Sequence, residues 1–360
     1  MKILYVAAEA SNFVINLCNE FCNQGHKVTC IIQDVDSYDD QNPIKEVAGL
    51  RTFKIPFATF FNDVRLERIV STHLTEGNYD IVFCSHSVIF PAVITAAKLR
   101  DINVPCGAML LDIPTDLMKQ EPVRMKNWEY WFKYLKLADL IITNTDIAAE
   151  EYERYTGTKL PKENVVTYGI NQPVMFNKKG LDKHGDTVVS ICRLTDLKNC
   201  ILIPKALGKL NLNLKYVAIG RNSGQLDLID DYCKKYGIEF EHYQNVTEYR
   251  KFRFLEDCSM LIYPQKSEYI GGLSPFEAMF VGKPSLVPDV RVLKDLYGEH
   301  AFYFKNDDAD SLAELIKKVH TQNRGELKEK LIAASDYSQS EASFENMAKK
   351  MLKLMESMLK

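Results

Sequence analysis

Strand, helix and strand follow one another within the first 33 residues, and that order limits the fold more than any other feature of the chain. Lys2–Ala7 is an apolar run of strand length. Phe13, Leu17 and Phe21, with Val14 and Cys18 beside them, recur at helical spacing as far as Gln24, and Gly25-His26 closes the helix. Lys27–Gln33 reads as the second strand. A helix between two such strands makes a βαβ unit, so the strands run parallel with a right-handed crossover. The alternation persists. It predicts helices near Asp63–Thr75, Phe90–Arg100, Met125–Leu137 and Ile147–Tyr155, and strands at Ile81–Cys84, Cys106–Leu111, Leu140–Thr143 and Asn164–Thr167. The expected class is α/β, a doubly wound parallel sheet whose ligands lie at the carboxyl ends of its strands. Around those ends stand Glu9, Ser11, Ser85-His86, Asp112 and Asn144. His86 reads as a rim residue, either a surface hydrogen-bonding group or a substrate contact. Asp112 either caps the next turn or faces a ligand. The first turn, Ala8-Glu9-Ala10-Ser11-Asn12, has no glycine, so a nicotinamide-type dinucleotide fingerprint is absent there.

Tyr168-Gly169-Ile170-Asn171 closes this first domain, placed at 1–172, and a polar linker is expected over 173–186. The pattern then restarts with a strand at Thr187–Cys192, a helix about Cys200–Leu210, a strand at Leu214–Ile219 closing on Gly220, a helix over Leu226–Tyr236 and a strand at Glu239–His242. A second βα domain is expected over 187–339. Arg193 and Lys198 leave the end of its first strand five residues apart. Two cations at a strand's carboxyl end suit a diphosphate, although solvated surface cations give the same spacing. From Phe344 onward, apolar residues at 344, 347, 348, 351, 352, 355, 358 and 359 mark one face of a final helix within the tail 340–360.

The stretch Leu261–Pro284 carries the most chemistry. It opens as a short strand, breaks at Pro264, crosses Gly271-Gly272 and enters a helix at Ser274-Pro275-Phe276-Glu277. Ser at the cap, Pro in the first helical position and Glu three residues on form a helix-start signature. A glycine loop running into helix N–H groups is a site for an anion such as a diphosphate. Glu277 admits two readings: half of a capping box, or an acceptor for sugar hydroxyls over the loop.

A net charge of −3 over 360 residues gives no reason to expect a nucleic-acid partner. No apolar run reaches the ~18 residues that span a bilayer, and the opening MKILYVAAEA reads as a first strand rather than a leader. Nine cysteines, none in a CxxC pair, suit a reducing cytoplasmic compartment. Cys18, Cys22 and His26 fall at i, i+4 and i+8, but no fourth ligand stands nearby, and the two cysteines fit the buried face of the first helix. No metal is expected. Both tryptophans lie in the segment 126–136, where aromatics and lysines interleave. Such a helix either docks on an anionic membrane surface or packs its aromatics on the sheet with its lysines solvated; packing is the preferred reading.

Taken together, these residues resemble glycosyltransferases of the GT-B fold, in particular the large retaining family numbered four. The resemblance covers nearly the whole chain. It rests on Gln24-Gly25-His26-Lys27-Val28, Ala138–Thr145, Tyr168–Asn171, Arg193 and Lys198, Gly220, Gly272–Met279 and Gly282-Lys283-Pro284. It implies two Rossmann-like domains facing a cleft, with the tail helix crossing back onto the first. It implies a nucleoside-diphosphate sugar, of UDP or GDP type, as donor. Its diphosphate would be held by Arg193 and Lys198 and its ribose by Glu277, with Gly220, Gly271, Gly272, Leu273 and Ser274 lining the donor. The acceptor, a saccharide or lipid-linked saccharide, would come from the side of Glu9, Ser11, His86 and Asp112, and anomeric configuration would be retained. The family usually has two glutamates eight residues apart; here Tyr269 stands eight before Glu277 and Glu268 one residue earlier. Leu111 stands where the family commonly has a histidine, and Ala8–Ser11 replaces its glycine-rich first loop. A nucleotide-sugar-binding subunit without turnover, or a sugar-nucleotide epimerase, is the alternative use of the same fold.

Overall fold

The computed structural model describes residues 1–8, 12–34, 47–100, 102–111, 113–114, 122–266, 271–322 and 324–359, without the side chains of 57, 122–124 and 324. Glu9, Ser11, Asp112, Glu268 and Tyr269 therefore lie outside the described residues. The strands are β1 (Lys2–Ala7), β2 (Lys27–Asp34), β3 (Leu50–Pro56), β4 (Ile81–Ser85), β5 (Cys106–Leu110), β6 (Leu140–Thr143), β7 (Thr187–Ile191), β8 (Lys215–Ile219), β9 (Phe240–Tyr243), β10 (Met260–Ile262), β11 (Ser285–Pro288) and β12 (Phe302–Phe304). They form two six-stranded sheets, ordered β3-β2-β1-β4-β5-β6 and β12-β11-β10-β7-β8-β9. Every strand pairing is parallel, from Lys2 against Lys27 in β1 and β2 to Ile219 against Tyr243 in β8 and β9. The order reverses beside β1 in one sheet and beside β7 in the other, and at such switch points the strand ends leave an open crevice.

The chain divides into two compact units, the second being Ile170–Ser343 and the first including the residues up to Gly169 together with Phe344–Lys360. In the first unit the helix Asn12–Asn23 buries Val14, Leu17, Cys18 and Phe21 against Ile3 and Tyr5 of β1. The tail helix Phe344–Met358 joins the same core through Met347, Ala348, Met351, Leu352 and Met355. Each Val, Leu, Phe or Met side chain among them contributes roughly 1.5–3 kcal/mol when fully removed from water. The methionines are packing residues, and Cys18 and Cys22 lie in the core with them.

Three elements differ from the sequence reading. Leu50–Pro56 is an edge strand, paired with β2 from Val28–Leu50 to Asp34–Pro56, and its charged Arg51 and Lys54 suit an edge. Asn164–Thr167 is not a strand. It makes one bridge, Thr143 to Val165, and the Asn164 amide donates to the Ile141 carbonyl at 2.8 Å, closing that edge with a side chain. The polar segment Glu248–Asp257 is a helix, capped where Thr247 accepts the Arg250 N–H, with Phe252 and Leu255 on its one apolar face. The stretch 173–186 is docked rather than loose: Phe176 stacks on Phe252 at 5.5 Å, and the Lys178 and Gly180 N–H groups donate to the Phe280 and Val281 carbonyls. Among the described residues no helix is long and apolar enough to cross a membrane.

Candidate active site

The site is built where β7, β8 and β10 end. Past β8 the backbone of Gly220 takes φ +146°, and a Cβ there would lie 2.0 Å from the Cys192 carbonyl oxygen. Only glycine permits that approach. Leu194 then donates its N–H to the Arg221 carbonyl at 2.9 Å, fixing the turn that follows β7. Thr195 caps the short turn Asp196–Lys198 by accepting the Lys198 N–H at 3.3 Å. The turn delivers the Lys198 side chain to Tyr263 and Gln265, which leave the end of β10.

Lys198 Nζ donates to Tyr263 Oη and, at 2.5 Å, to Gln265 Oε1. It also stands 4.8 Å from the Tyr263 ring centroid. Tyr263 is 2% and Gln265 1% exposed. Among the described residues no carboxylate pairs with this ammonium. Burial pushes it down to about 8, and the neighbouring Arg193 charge works in the same direction. Arg193 itself is exposed. Two neighbouring cations with no carboxylate partner among the described residues have the chemistry to take an anion.

Tyr263 carries the arrangement onward to the glycine loop. A Cβ on Gly272 would lie 2.5 Å from the Tyr263 ring, so the loop can rest on that ring only as glycine. On its other side Tyr297 Oη donates to the Gly272 carbonyl at 2.6 Å and accepts the Gly272 N–H at 3.2 Å. The loop is clamped between two tyrosines immediately before the helix Ser274–Val281.

The start of that helix departs from the sequence expectation. Its first ladder bond runs from the Glu277 N–H to the Leu273 carbonyl at 3.1 Å, so Leu273 occupies the cap and Ser274 is the first helical residue. Ser274 Oγ is buried and makes no hydrogen bond, and Glu277 does not reach back to the cap. No capping box forms. Pro275 has no N–H, and the Ser274 and Phe276 N–H groups stand outside the ladder. Glu277, 7% exposed, instead meets Lys251 Nζ at 2.7 Å, and Lys251 meets Glu248 Oε1 at 2.6 Å. Glu248 accepts the Asn171 amide at 3.3 Å. Burial holds the Glu277 carboxyl above its usual range, opposed by Lys251. Lys251 is itself held above its usual range by the two carboxylates, against a burial that works to lower it.

Lys198 and Gly272 thus meet on Tyr263, and Gly220 packs on the Cys192–Arg193 backbone, with Gly271, Leu273 and Ser274 in the same loop as Gly272 and Glu277 one turn into the helix. His86 belongs to the first unit, at the end of β4, with φ +79° and Nδ1 3.3 Å from Ser85 Oγ. Leu111 packs partly buried against the first core. Tyr263, Gln265, Tyr297, Lys251 and Glu248 were not singled out in the sequence. Tyr263 and Gln265 flank Pro264 at the end of a strand, which marks them as crevice residues; Glu248 and Lys251 are three apart on one helix face.

A family model described as "Glycosyl transferases group 1" matches residues 171–336, and one described as "Glycosyltransferase Family 4" matches residues 10–171. No curated protein sequence matches the chain. HepE of Anabaena, solved with UDP and glucose, aligns over 99% of this chain and 100% of its own at TM-score 0.77 and 14% identity. Sucrose-phosphate synthase from Thermosynechococcus elongatus covers 99% of both chains at TM-score 0.78 and 14% identity. A glycosyltransferase from Rickettsia africae covers 100% of this chain and 98% of its own at TM-score 0.75 and 15% identity. These similarities establish the GT-B fold. The two family models between them span nearly the whole sequence, and the chain belongs to the group 1, family 4 glycosyltransferases.

Proposed function

We propose that the protein transfers a hexosyl group from a nucleoside-diphosphate sugar to a hydroxyl of a glycan, a lipid-linked saccharide or another glycoconjugate, retaining anomeric configuration and using no metal. The observation that carries this reading is Lys198, a mostly buried ammonium bonded to neutral Tyr263 and Gln265 with Arg193 beside it. Breaking the bond between the anomeric carbon and the diphosphate builds negative charge on the leaving phosphate. Arg193, Lys198 and the N–H groups at the start of the helix Ser274–Val281 stabilise that charge. The Gly271-Gly272 backbone meets the phosphate and sugar, and Glu277 accepts the ribose hydroxyls. Glu268 belongs with Arg193 and Lys198 on the catalytic side, and Glu9, Ser11, His86 and Asp112 on the acceptor side. HepE of Anabaena has been solved with UDP and with UDP-glucose, which favours a UDP-type donor over a GDP type.

A thermal-shift screen of nucleoside diphosphates and their sugars tests the reading. A ligand at a hundredfold its Kd stabilises by about 2.7 kcal/mol, a readily measured rise in melting temperature. One base series is expected to raise it, and Lys198→Ala to remove most of the rise. No response to any nucleoside diphosphate would overturn the proposal.

A further inference from the structure

Cys192 and Cys200 bracket the segment that carries both cations, and their sulfurs stand 3.3 Å apart. Of the nine cysteines, Cys192 alone is not buried. The pair differs in this from Cys18 and Cys30, whose thiols lie together with both residues 0% exposed, out of reach of an oxidant. We propose that Cys192 and Cys200 form a reversible oxidation site, and that a disulfide between them locks the Arg193–Lys198 segment and lowers turnover.

The chemistry needs a two-electron oxidant of the peroxide class. Cys192, whose thiol is held above its usual range by its hydrogen bond to Cys200 and by burial, gives up its proton and attacks hydrogen peroxide; the O–O bond breaks, and a sulfenic acid and hydroxide form. The Cys200 thiolate then attacks Cys192 Sγ, the S–O bond breaks, and hydroxide takes up a proton to leave as water. Two thiols and one peroxide give one disulfide and two waters. Cys200 suits the second step. In the reduced pair the Cys192 S–H favours the Cys200 thiolate most; once Cys192 is a sulfenic acid, the Ser190 and Tyr216 hydroxyls and the Lys198 charge still favour it against burial. Ser190 Oγ lies 3.9 Å from Cys200 Sγ.

A disulfide requires the sulfurs to close to about 2.05 Å. The segment between them has little slack. Leu194 is tied to Arg221 at 2.9 Å, and Thr195 caps the Lys198 turn. Asn199, in a left-handed conformation at φ +51°, is tied to Asp307 at 3.0 Å. Closing the sulfurs therefore moves the turn that aims Lys198 at Tyr263 and Gln265. A displacement of about 1 Å at a reacting group costs up to about a hundredfold in rate.

The experiment treats the full-length protein with hydrogen peroxide, then alkylates it and maps peptides by mass spectrometry alongside turnover. The expected result is a Cys192–Cys200 cross-link, a roughly ten- to hundredfold fall in turnover, and recovery with dithiothreitol. Cys200→Ser and, should that variant fold poorly, Cys192→Ser are expected to turn over normally when reduced and to lose the response. Absence of the cross-link overturns the proposal, as does equal inactivation of wild type and Cys200→Ser. The effect on turnover rests on the diphosphate reading of Arg193 and Lys198, whereas the cross-link does not. If the cross-link forms with turnover unchanged while Lys198→Ala is inactive, the regulatory inference falls alone; if Lys198→Ala is fully active, the diphosphate reading falls with it.

Discussion

Lys251 stands between two carboxylates, its Nζ 2.7 Å from Glu277 Oε1 and 2.6 Å from Glu248 Oε1, with Glu277 almost wholly buried. Glu277 is thus paired inside the protein with a cation from a neighbouring helix, which opposes the burial that holds its carboxyl above the usual range. A carboxylate buried without such a partner takes up a proton instead.

Lys251→Met is expected to weaken binding of the cognate nucleoside diphosphate by leaving Glu277 protonated, and to cost about 3–5 kcal/mol of stability, as breaking a buried ion pair does. The Glu277 carboxyl already binds its proton more tightly in the folded chain than its usual 4.5. The sign follows: stability contributed through this group falls as pH rises from 4.5 through the raised value, whereas affinity that depends on its charged form climbs over the same window. In Lys251→Met that climb should move to higher pH, and in Lys251→Arg it should stay near the wild-type position. Calorimetric titrations from acid to neutral pH read both. A climb that does not move in Lys251→Met would show that Glu277 does not touch the donor. Glu277→Gln separates the cases further, because an unchanged affinity there returns the residue to a structural ion pair.

Lys198 sets a second pH dependence with the opposite sense. Its folded value is lowered from 10.5 to about 8, so between those values the unfolded chain binds more protons than the folded one. Stability without ligand should therefore rise with pH through that window, while diphosphate affinity falls as the ammonium is lost. One proton linked to binding gives up to about tenfold per pH unit. Lys198→Arg, which stays charged, should flatten the decline. Affinity that is level above pH 8 in the wild type would remove Lys198 from the anion site.

The alternation of strands and helices was legible because each helix of the first half keeps one apolar stripe between strand-like runs, as Phe13, Leu17 and Phe21 do. Periodicity failed where polarity masked a narrow face. Phe252 and Leu255 are the buried apolar residues of a helix that also carries six charged ones, and Leu50–Pro56 shows no strand signal until its partner β2 is known. At the candidate site, residue type and spacing singled out Arg193, Lys198 and the glycine loop. They could not reveal Tyr263 and Tyr297, whose hydroxyls matter only because the fold brings segments 25 and 65 residues apart into contact. The capping-box reading of Ser274 failed for a similar reason. A buried lysine 26 residues away competes for Glu277 and wins.

The segment 126–136 is expected to contribute little to membrane binding. Trp128, Phe132 and Leu135 are buried, Phe132 is stacked on Tyr155 at 4.6 Å, and the exposed face keeps Tyr130 and Leu137 with the lysines. Liposome flotation of the wild type and of a Lys126/Lys133/Lys136→Glu variant measures this. Strong wild-type flotation abolished in the variant would favour the membrane-docking alternative for this helix.

Arg193 and Lys198 should part company in stability and agree in turnover. Arg193 is exposed, and among the described residues its guanidinium has no carboxylate partner, so Arg193→Ala should change stability by no more than about 0.5 kcal/mol. Lys198 is bonded to two nearly buried side chains, Tyr263 and Gln265, and its removal takes a charged donor from both oxygens, although the Tyr263 hydroxyl still donates to Gln265 Oε1 at 2.6 Å. Lys198→Ala should cost about 1–3 kcal/mol for that reason. On the proposed reading both cations face the diphosphate, where charge grows as the bond to the anomeric carbon breaks, so each substitution should lower turnover more than it weakens nucleoside diphosphate binding. A charge-assisted hydrogen bond of about 1.5–3 kcal/mol corresponds to roughly ten- to 150-fold in rate. Melting temperature, calorimetric affinity and initial rate at saturating donor, measured on the same two variants, resolve the three quantities. Near-normal turnover in Arg193→Ala and Lys198→Ala alike would take the diphosphate away from this turn and leave the two lysine-bonded residues, Tyr263 and Gln265, as a purely structural contact.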